Sequence, residues 1–484
     1  MCDTSLIDYF NRHYERASMK NSELFQLGIP RGKALEAARR GVQHAVHLGK
    51  SKTQIRKALK QVAAHPRAHL DDELYADLAQ AMLHTDQSEM PYVPRDAAAP
   101  FRKWGDNLDP LSIDQMKHAC QLPVSVRGAL MPDCHVGYGL PIGGVLATRN
   151  VVIPYAVGVD IACRMKMTVL DLPLSTLDED VQSLKKAIES ETRFGIGAEF
   201  KGRRRQHPVL DADWTVSPVT MRLKDKAWNQ LGTSGSGNHF VEFGELEVKN
   251  EAAGLPVGRY LALLSHSGSR GTGAEVCSYY SRMAKELHKD LPQELKNLAW
   301  LSLDSHQGRE YWEAMNLMGE YAAANHACIH RHVAQHLGVP VLLDIENHHN
   351  FAWKEMHDGE ELIVHRKGAT PAHAGVLGII PGSMATPGYV VRGKGDEASL
   401  SSAAHGAGRA MSRTQAKKTF NWREAKEVLA KAKVELISAG LDEVPMVYKN
   451  IHEVMAAQSD LVEILAEFHP RLVKMAPAGE RPED

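Results

Sequence analysis

With 484 residues the chain exceeds what one ordinary domain needs, and it fits either a single large catalytic domain with an extension or two or three domains. Its 57 Lys and Arg against 59 Asp and Glu leave a net charge of -2, which removes any global electrostatic reason to bind nucleic acid or an acidic membrane, so a polyanion site must be local. Six cysteines (Cys2, Cys120, Cys134, Cys163, Cys277 and Cys328) in no disulfide-framework spacing, behind an N-terminus without an apolar signal stretch, fit a reducing cytoplasm.

Up to about residue 86 the pattern is helical. Leu35, Ala38, Val42 and Ala45 recur at helix spacing, and Ser51 with Gln54 forms a capping-box signature ahead of Ile55, Leu59 and Val62. Lys50, Lys52, Arg56, Lys57 and Lys60 make a basic face, readable as solvated surface or as a contact for RNA backbone. The pattern-poor, proline-containing stretch 87–100 reads as a linker.

After about Phe101 short apolar runs punctuated by Gly and Pro, such as 143–148, 151–159 and 260–264, predict strands. Helices are expected over 180–190, 308–337 and 422–437, with Gly440 ending the last. This is the signature of an α+β fold: one large domain, 101–484, of mixed β-sheets flanked by helices, behind an N-terminal helical extension, 1–86. The long uncharged stretch 368–391 contains Pro371, Gly375, Gly378, Pro381, Gly382, Pro387 and Gly388, which exclude a regular lipid-exposed helix and leave short buried strands and loops.

The polar clusters of this domain nearly all contain histidine. In Met131-Pro-Asp-Cys-His135 the glycines that follow (Gly137, Gly139, Gly143 and Gly144) give backbone close access to a charged ligand, while Asp133 could orient a base, hold a metal or make local turn hydrogen bonds. Asp160 and Cys163 lie three apart, able to share a metal on a tight turn or simply to bury the thiol. Asn238, His239 and Glu242 follow a glycine turn; His266 and Arg270 follow an apolar run; His348 and His349 follow Asp344-Ile-Glu-Asn. Together Asp160, Cys163, His239, His266 and His349 offer five ligands, enough for two divalent ions with positions open to phosphate oxygens.

Arg366 and Lys367 before Gly368, and Ser383 after Pro-Gly, suit anions, although no Walker loop is present. His326 and His330 stand at i, i+4 without the Glu of a zincin motif, which favours packing over metal binding. Lys201-Gly-Arg-Arg-Arg205 suits RNA phosphates or a solvated loop. In His405-Gly-Ala-Gly-Arg409 small residues leave a neutral imidazole accessible to phosphorus; taken alone, the pentapeptide also reads as a helix end or a core histidine.

This ordered set resembles the RtcB family of GTP-dependent RNA ligases of tRNA splicing and RNA repair. The resemblance is carried by Met131 to Gly144, Val-Gly-Val-Asp-Ile, Gly-Ser-Gly-Asn-His-Phe, His-Ser-Gly-Ser-Arg, His-Arg-Lys-Gly-Ala, Pro-Gly-Ser-Met and His-Gly-Ala-Gly-Arg, across about residues 100 to 478. It implies that His405 attacks the α-phosphate of GTP to form a covalent guanylate, with Asp133 close by, and that Asp160, Cys163, His239, His266 and His349 hold two manganese ions. Soft Cys and His donors alone would suggest zinc or cobalt, so manganese rests on the resemblance.

It further implies that Asn238 meets the nucleotide phosphates and metals, that Glu242, Tyr448 and Lys474 contact guanine, and that Ser383, Gly406, Ala407, Gly408 and Arg409 complete the GTP site. Arg164, Arg270, Arg366 and Lys367 are the candidates for phosphate or RNA. The implied reaction opens an RNA 2′,3′-cyclic phosphate to a 3′-phosphate, guanylylates it and seals it to a 5′-hydroxyl, with an archease-like activating protein as a partner and no membrane. The alternatives are a guanylyltransferase that caps 3′-phosphates with weak sealing, and a non-catalytic RNA-binding relative. Asp-Ile-Ala-Cys-Arg stands where the family usually has Asp-Ile-Gly-Cys-Gly, Pro-Gly-Ser-Met-Ala-Thr-Pro-Gly replaces the usual Pro-Gly-Ser-Met-Gly-Thr, and the helical extension lies outside the family core.

Overall fold

The computed structural model describes residues 19–27, 29, 33–87, 92, 95, 97–200, 202, 204–250 and 254–480. Part of the expected linker and two residues of the 201–205 basic run fall outside them. The chain divides into two units, Met1–Pro91 with Leu301–Glu310, and Tyr92–Trp300 with Tyr311–Asp484.

In the first unit the helices are Asn21–Gln26, Lys33–His47, Lys52–Ala64 and Ala76–Gln87. The i, i+3, i+4 stripe explains their packing: Ala38, Val42 and Ala45 are buried with Ile55, Leu59, Val62, Leu78 and Ala79, and Leu35 packs at the margin. Ser51 caps its helix as a full capping box with Gln54, the Ser51 N–H donating to Gln54 Oε1 at 2.8 Å. Of the basic face, Lys52 pairs with Glu23 at 3.0 Å, and the other four side chains are exposed.

The strands that position the site lie in the second unit. In chain order they are β1 (Phe101–Lys103), β2 (Ser125–His135), β3 (Ile142–Thr148), β4 (Arg164–Leu170), β5 (Phe240–Val248), β6 (Gly258–Ser267), β7 (Val341–His348), β8 (Asn350–His357), β9 (Glu360–Lys367), β10 (Ala369–Pro371), β11 (Leu377–Ile380), β12 (Gly388–Gly393), β13 (Ser402–Ala404), β14 (Glu435–Ser438) and β15 (Val462–Met475). Among the described residues the larger sheet runs β11-β12-β15-β5-β6-β4-β7, with β14 along β15. A second sheet runs β1-β2-β3-β9-β8, and β10 pairs with β13. These mixed sheets, with helices such as Arg270–Leu287 and His306–Leu337, make the expected α+β fold.

The register brings distant sequence together. β4 is antiparallel to both neighbours, Arg164 standing opposite Ser267 on β6 and His348 on β7; Phe240 stands opposite His266 and Met475. The starts of β4 and β5 therefore meet the ends of β6, β7 and β15 at one end of the sheet. His349 is the one residue between β7 and β8, at the corner where the chain leaves the first sheet for the second. In the second sheet the register of β2 slips between Leu130 and His135, a bulge that frees Met131 to Cys134 from the ladder.

Two expected elements differ. Residues 151–159 form only a two-residue strand followed by the helical turn Pro154–Val157, begun by proline at its first position. The helix expected over 422–437 stops at Lys431. Lys433 turns left-handed at φ 55°, the Val434 N–H bonds Leu429 O at 3.0 Å, and the β-branched and apolar residues beyond enter β14.

Candidate active site

The Asp160–Cys163 turn is built on backbone contacts: the Cys163 N–H reaches Asp160 O at 3.2 Å, and the Ala162 N–H reaches Asn350 O at 2.6 Å. Ala162 has φ 55°, a left-handed conformation that costs a non-glycine residue roughly 1 kcal/mol or more and that a buried methyl partly offsets. Cys163 Sγ lies 3.4 Å from His239 Nε2 and 3.1 Å from His266 Nε2, and His266 Nε2 lies 3.2 Å from His349 Nε2. Asp160 Oδ2 lies 3.1 Å from His239 Nε2. Two groups of donors result, Asp160-Cys163-His239 and Cys163-His266-His349, each within 4.8 Å and sharing the sulfur.

Electrostatics suit this set to cations. Burial, and then the neighbouring His239, hold the His266 imidazole down to about 3, and burial holds His349 well below the usual histidine range, so both offer neutral rings. Burial alone would raise the Asp160 carboxyl, but its hydrogen bond with His239 and the charges of His239 and Arg270 hold it below its usual range. His266 Nδ1 lies 3.1 Å from Asn238 O, a carbonyl that accepts a hydrogen bond from Nδ1–H and so leaves the Nε2 lone pair facing sulfur and the His349 ring nitrogen. These two ring nitrogens and the sulfur converge on one another, each able to turn a lone pair to a cation, and His349 Nδ1 is buried without a partner among the described residues. The donor set therefore fits divalent metal.

His405 follows β13. Its Nδ1 is 2.6 Å from Asp133 Oδ2, and its backbone N–H donates to the same oxygen at 3.2 Å. Asp133 sits in the β2 bulge, fully buried, and the His405 ring centroid is 4.9 Å from that of His349. Gly408 has φ 72°, and a Cβ there would collide with the Asp133 carbonyl, so the glycine is what lets the His405 loop lie on the bulge.

A cavity of about 580 Å³ joins these groups. Asp160, Cys163, Asn238, His239, Glu242, His266, His349, Lys367, Ser383, His405 to Arg409 and Tyr448 all line it. Burial pushes the Glu242 carboxyl well above its usual range and brings the Lys367 ammonium down to about 8. Ser383 Oγ shares a hydrogen bond with Thr386 Oγ1 at 2.9 Å.

Sequence reasoning missed the anchor of the far wall. Buried Glu443 pairs with Arg409 at 3.3 Å, with Arg413 and with the Tyr448 hydroxyl, and Arg409 Nη2 donates to Asp442 O at 2.8 Å. Arg413 and Glu443 also line the cavity. The available signal was Arg409 and Arg413 at i, i+4 with an acidic pair some thirty residues on.

Four expected anion or nucleotide contacts do not line this cleft. Arg366 is fully buried: its fork grips Glu355 at 2.6 and 2.9 Å, its Nε donates to Ser402 Oγ at 2.7 Å and its Nη2 to Leu400 O at 2.8 Å, so its charge is spent inside the protein. Arg164 points the other way along β4, to Gly319 O at 3.1 Å and Glu346 at 3.5 Å. Arg270, left-handed at φ 58°, lies behind the cluster with Nη1 3.3 Å from His239 Nδ1, in space that a Cβ on Gly235 would occupy. Lys474 alternates away from the cleft-lining Val473 and Met475 and lies 5.5 Å over the Phe194 ring. His348 packs on Trp353, 5.0 Å between centroids, and leaves the corner to His349.

A family model described as tRNA-splicing ligase RtcB matches residues 115–216 and 211–475. The chain is similar to the RNA-splicing ligase RtcB of Escherichia coli (strain K12), 34% identical over 398 residues, covering 76% of this chain and 95% of the relative. It is also similar to the tRNA-splicing ligase RtcB of Methanococcus maripaludis, 31% identical over 449 residues, covering 77% and 92%. The RNA-splicing ligase RtcB of Mycobacterium tuberculosis is 29% identical over 425 residues, covering 74% and 98%.

Proposed function

This chain belongs to the RtcB family of RNA-splicing ligases, and on that premise we propose that it joins RNA ends bearing a 2′,3′-cyclic phosphate or 3′-phosphate to 5′-hydroxyl ends, using GTP through a covalent guanylate on His405. The observation that carries the reading is the His405–Asp133 pair at 2.6 Å, on the cavity that also contains the sulfur and imidazole cluster. The Asp133 carboxylate accepts a hydrogen bond from His405 Nδ1–H and leaves the Nε2 lone pair as the nucleophile. As Nε2 bonds the α-phosphorus and pyrophosphate leaves, the buried carboxylate compensates the positive charge that grows on the ring.

An oxygen of the RNA 3′-phosphate then attacks the same phosphorus and breaks the P–N bond, returning the electron pair to His405. The 5′-hydroxyl of the second strand finally attacks the RNA phosphorus and releases GMP. Divalent ions held by Asp160, Cys163, His239, His266 and His349 would supply Lewis-acid stabilisation of phosphoryl charge, two manganese ions being the reading the resemblance favours. Glu242, kept neutral by burial, can donate a hydrogen bond to the nucleotide, and Ser383 and the Gly406 to Gly408 backbone can meet its phosphates. Residues 101–484 form the catalytic domain in this reading, with 1–86 as a helical extension and 87–100 as the linker.

The test is sealing of an RNA 3′-phosphate strand to a 5′-hydroxyl strand with GTP and manganese. A sealed product that requires GTP supports the proposal. A persistent 3′-guanylylated end with no sealed product would replace it with a capping enzyme.

A further inference from the structure

The loop after β2 places apolar side chains in water at the rim of the cleft. Tyr138 is 66% exposed and Val136 46%, and both line the cavity that contains His405. The backbone beneath them is fixed at three points. The Gly137 N–H donates to Gln115 Oε1 at 3.0 Å while its carbonyl accepts from Gln115 Nε2, a two-way amide clamp. The Tyr138 carbonyl accepts from Lys367 Nζ at 2.6 Å. Gly139, at φ 75°, lies so close to the Asn297 backbone that a Cβ would come within 2.9 Å of its carbonyl oxygen.

The same contacts tie the loop to the nucleophile. Lys367 continues into Gly368, where a Cβ would lie 3.2 Å from His405 Cε1. The Tyr138 carbonyl is thus held by the side chain of Lys367, whose next residue lies beside the His405 ring. The backbone that carries this exposed ring is held in place before any ligand arrives, which lowers the ordering cost of binding to it. Any base presents a π-face to it, and the Lys367 ammonium keeps donors beyond the one given to the Tyr138 carbonyl. In a chain with a net charge of -2 such a local device must do the gathering that global charge does not.

We propose that Tyr138, flanked by Val136, is a stacking platform for the 3′-terminal nucleobase of the RNA strand that presents its phosphate to His405. The inference rests on the guanylate reading above, because that phosphate has to reach His405 Nε2. It adds a binding element for the RNA end that is separate from the nucleotide wall at Arg409 and Tyr448.

The test is equilibrium binding of a fluorescent, single-stranded RNA 3′-phosphate to the full-length protein without GTP. Tyr138→Ala should weaken Kd about tenfold, Tyr138→Trp should restore it, and an RNA lacking only its 3′-terminal base should bind the wild type about tenfold more weakly and Tyr138→Ala no more weakly still. An unchanged Kd in Tyr138→Ala, or an abasic RNA that loses the same affinity on both proteins, would overturn the platform. Because binding is read without GTP, a wild-type protein that never forms a guanylate would sink the guanylate reading while Kd still decides the platform.

Discussion

Near the end of β6 the adjacent residues Ser265 and His266 face opposite sides of the sheet, and each meets a cluster of buried histidines. Ser265 Oγ lies 2.8 Å from His326 Nδ1 and 2.7 Å from His330 Nε2; His330 Nδ1 lies 2.7 Å from Thr168 Oγ1, which donates in turn to Asp344. His266 Nε2, on the other side, lies 3.1 Å from Cys163 Sγ and 3.2 Å from His349 Nε2. Burial holds the imidazoles of His266, His326 and His330 below the usual range. Buried neutral histidine therefore does not distinguish them. The kind of neighbour does: the Ser265 and Thr168 hydroxyls answer three of the four ring nitrogens in the one cluster, whereas in the other, two imidazoles converge on a thiol, a donor set that a cation can hold together.

The sharpest way to break this comparison is to exchange the two neighbours. His266→Ala should abolish RNA ligation, by a thousandfold or about 4 kcal/mol of barrier, with only a small change in melting temperature. Ser265→Ala should do the reverse, leaving two buried ring nitrogens, His326 Nδ1 and His330 Nε2, short of a partner and costing about 1–3 kcal/mol of unfolding free energy while the folded protein still ligates. Parallel ligation rates and urea unfolding of the two variants check this. Equal loss of activity in both would erase the distinction between the faces.

A third cluster sharpens it with pH. Around Arg366, burial would raise the Glu355 carboxyl, but its hydrogen bonds with His373, Arg366 and His357 and the Arg366 charge hold it far below the usual range. A carboxylate whose folded pKa is depressed contributes stability above its unfolded value, about 4.3, and loses that contribution as pH falls towards the folded value. Glu355→Gln should therefore be less stable than wild type at pH 7, and the gap should shrink below about pH 4. Urea unfolding at pH 7 and at the lowest pH where both proteins fold reads it. A gap that persists unchanged in acid would mean that packing, not charge, sets the loss.

Much of the sulfur and imidazole cluster was legible because its residues sit at strand ends and tight turns, several of them near Gly158, Gly235, Gly237 and Gly268. The antiparallel order β5-β6-β4-β7 then converts those strand ends into neighbours. Side-chain direction was not legible. Arg366 and Lys367 are adjacent on β9, yet one is sealed against Glu355 and the other reaches the cleft, because alternation on a strand decides it and a motif does not record the strand's phase. The same holds for Lys474 on β15 and for Arg164 beside Cys163. Glu443 escaped because its partners come from Arg409, Arg413 and Tyr448, and the helix beyond Trp422 was drawn too long because the left-handed turn at Lys433 involves no glycine.

The central claim is that His405, held by Asp133, is the nucleophile. It is tested most directly by incubating the protein and His405→Ala with α-phosphate-labelled GTP and manganese, followed by denaturing separation and acid treatment. An acid-labile label on wild type, absent from His405→Ala, is the expected result. Label that survives in His405→Ala, or none on wild type across several divalent ions, would contradict it.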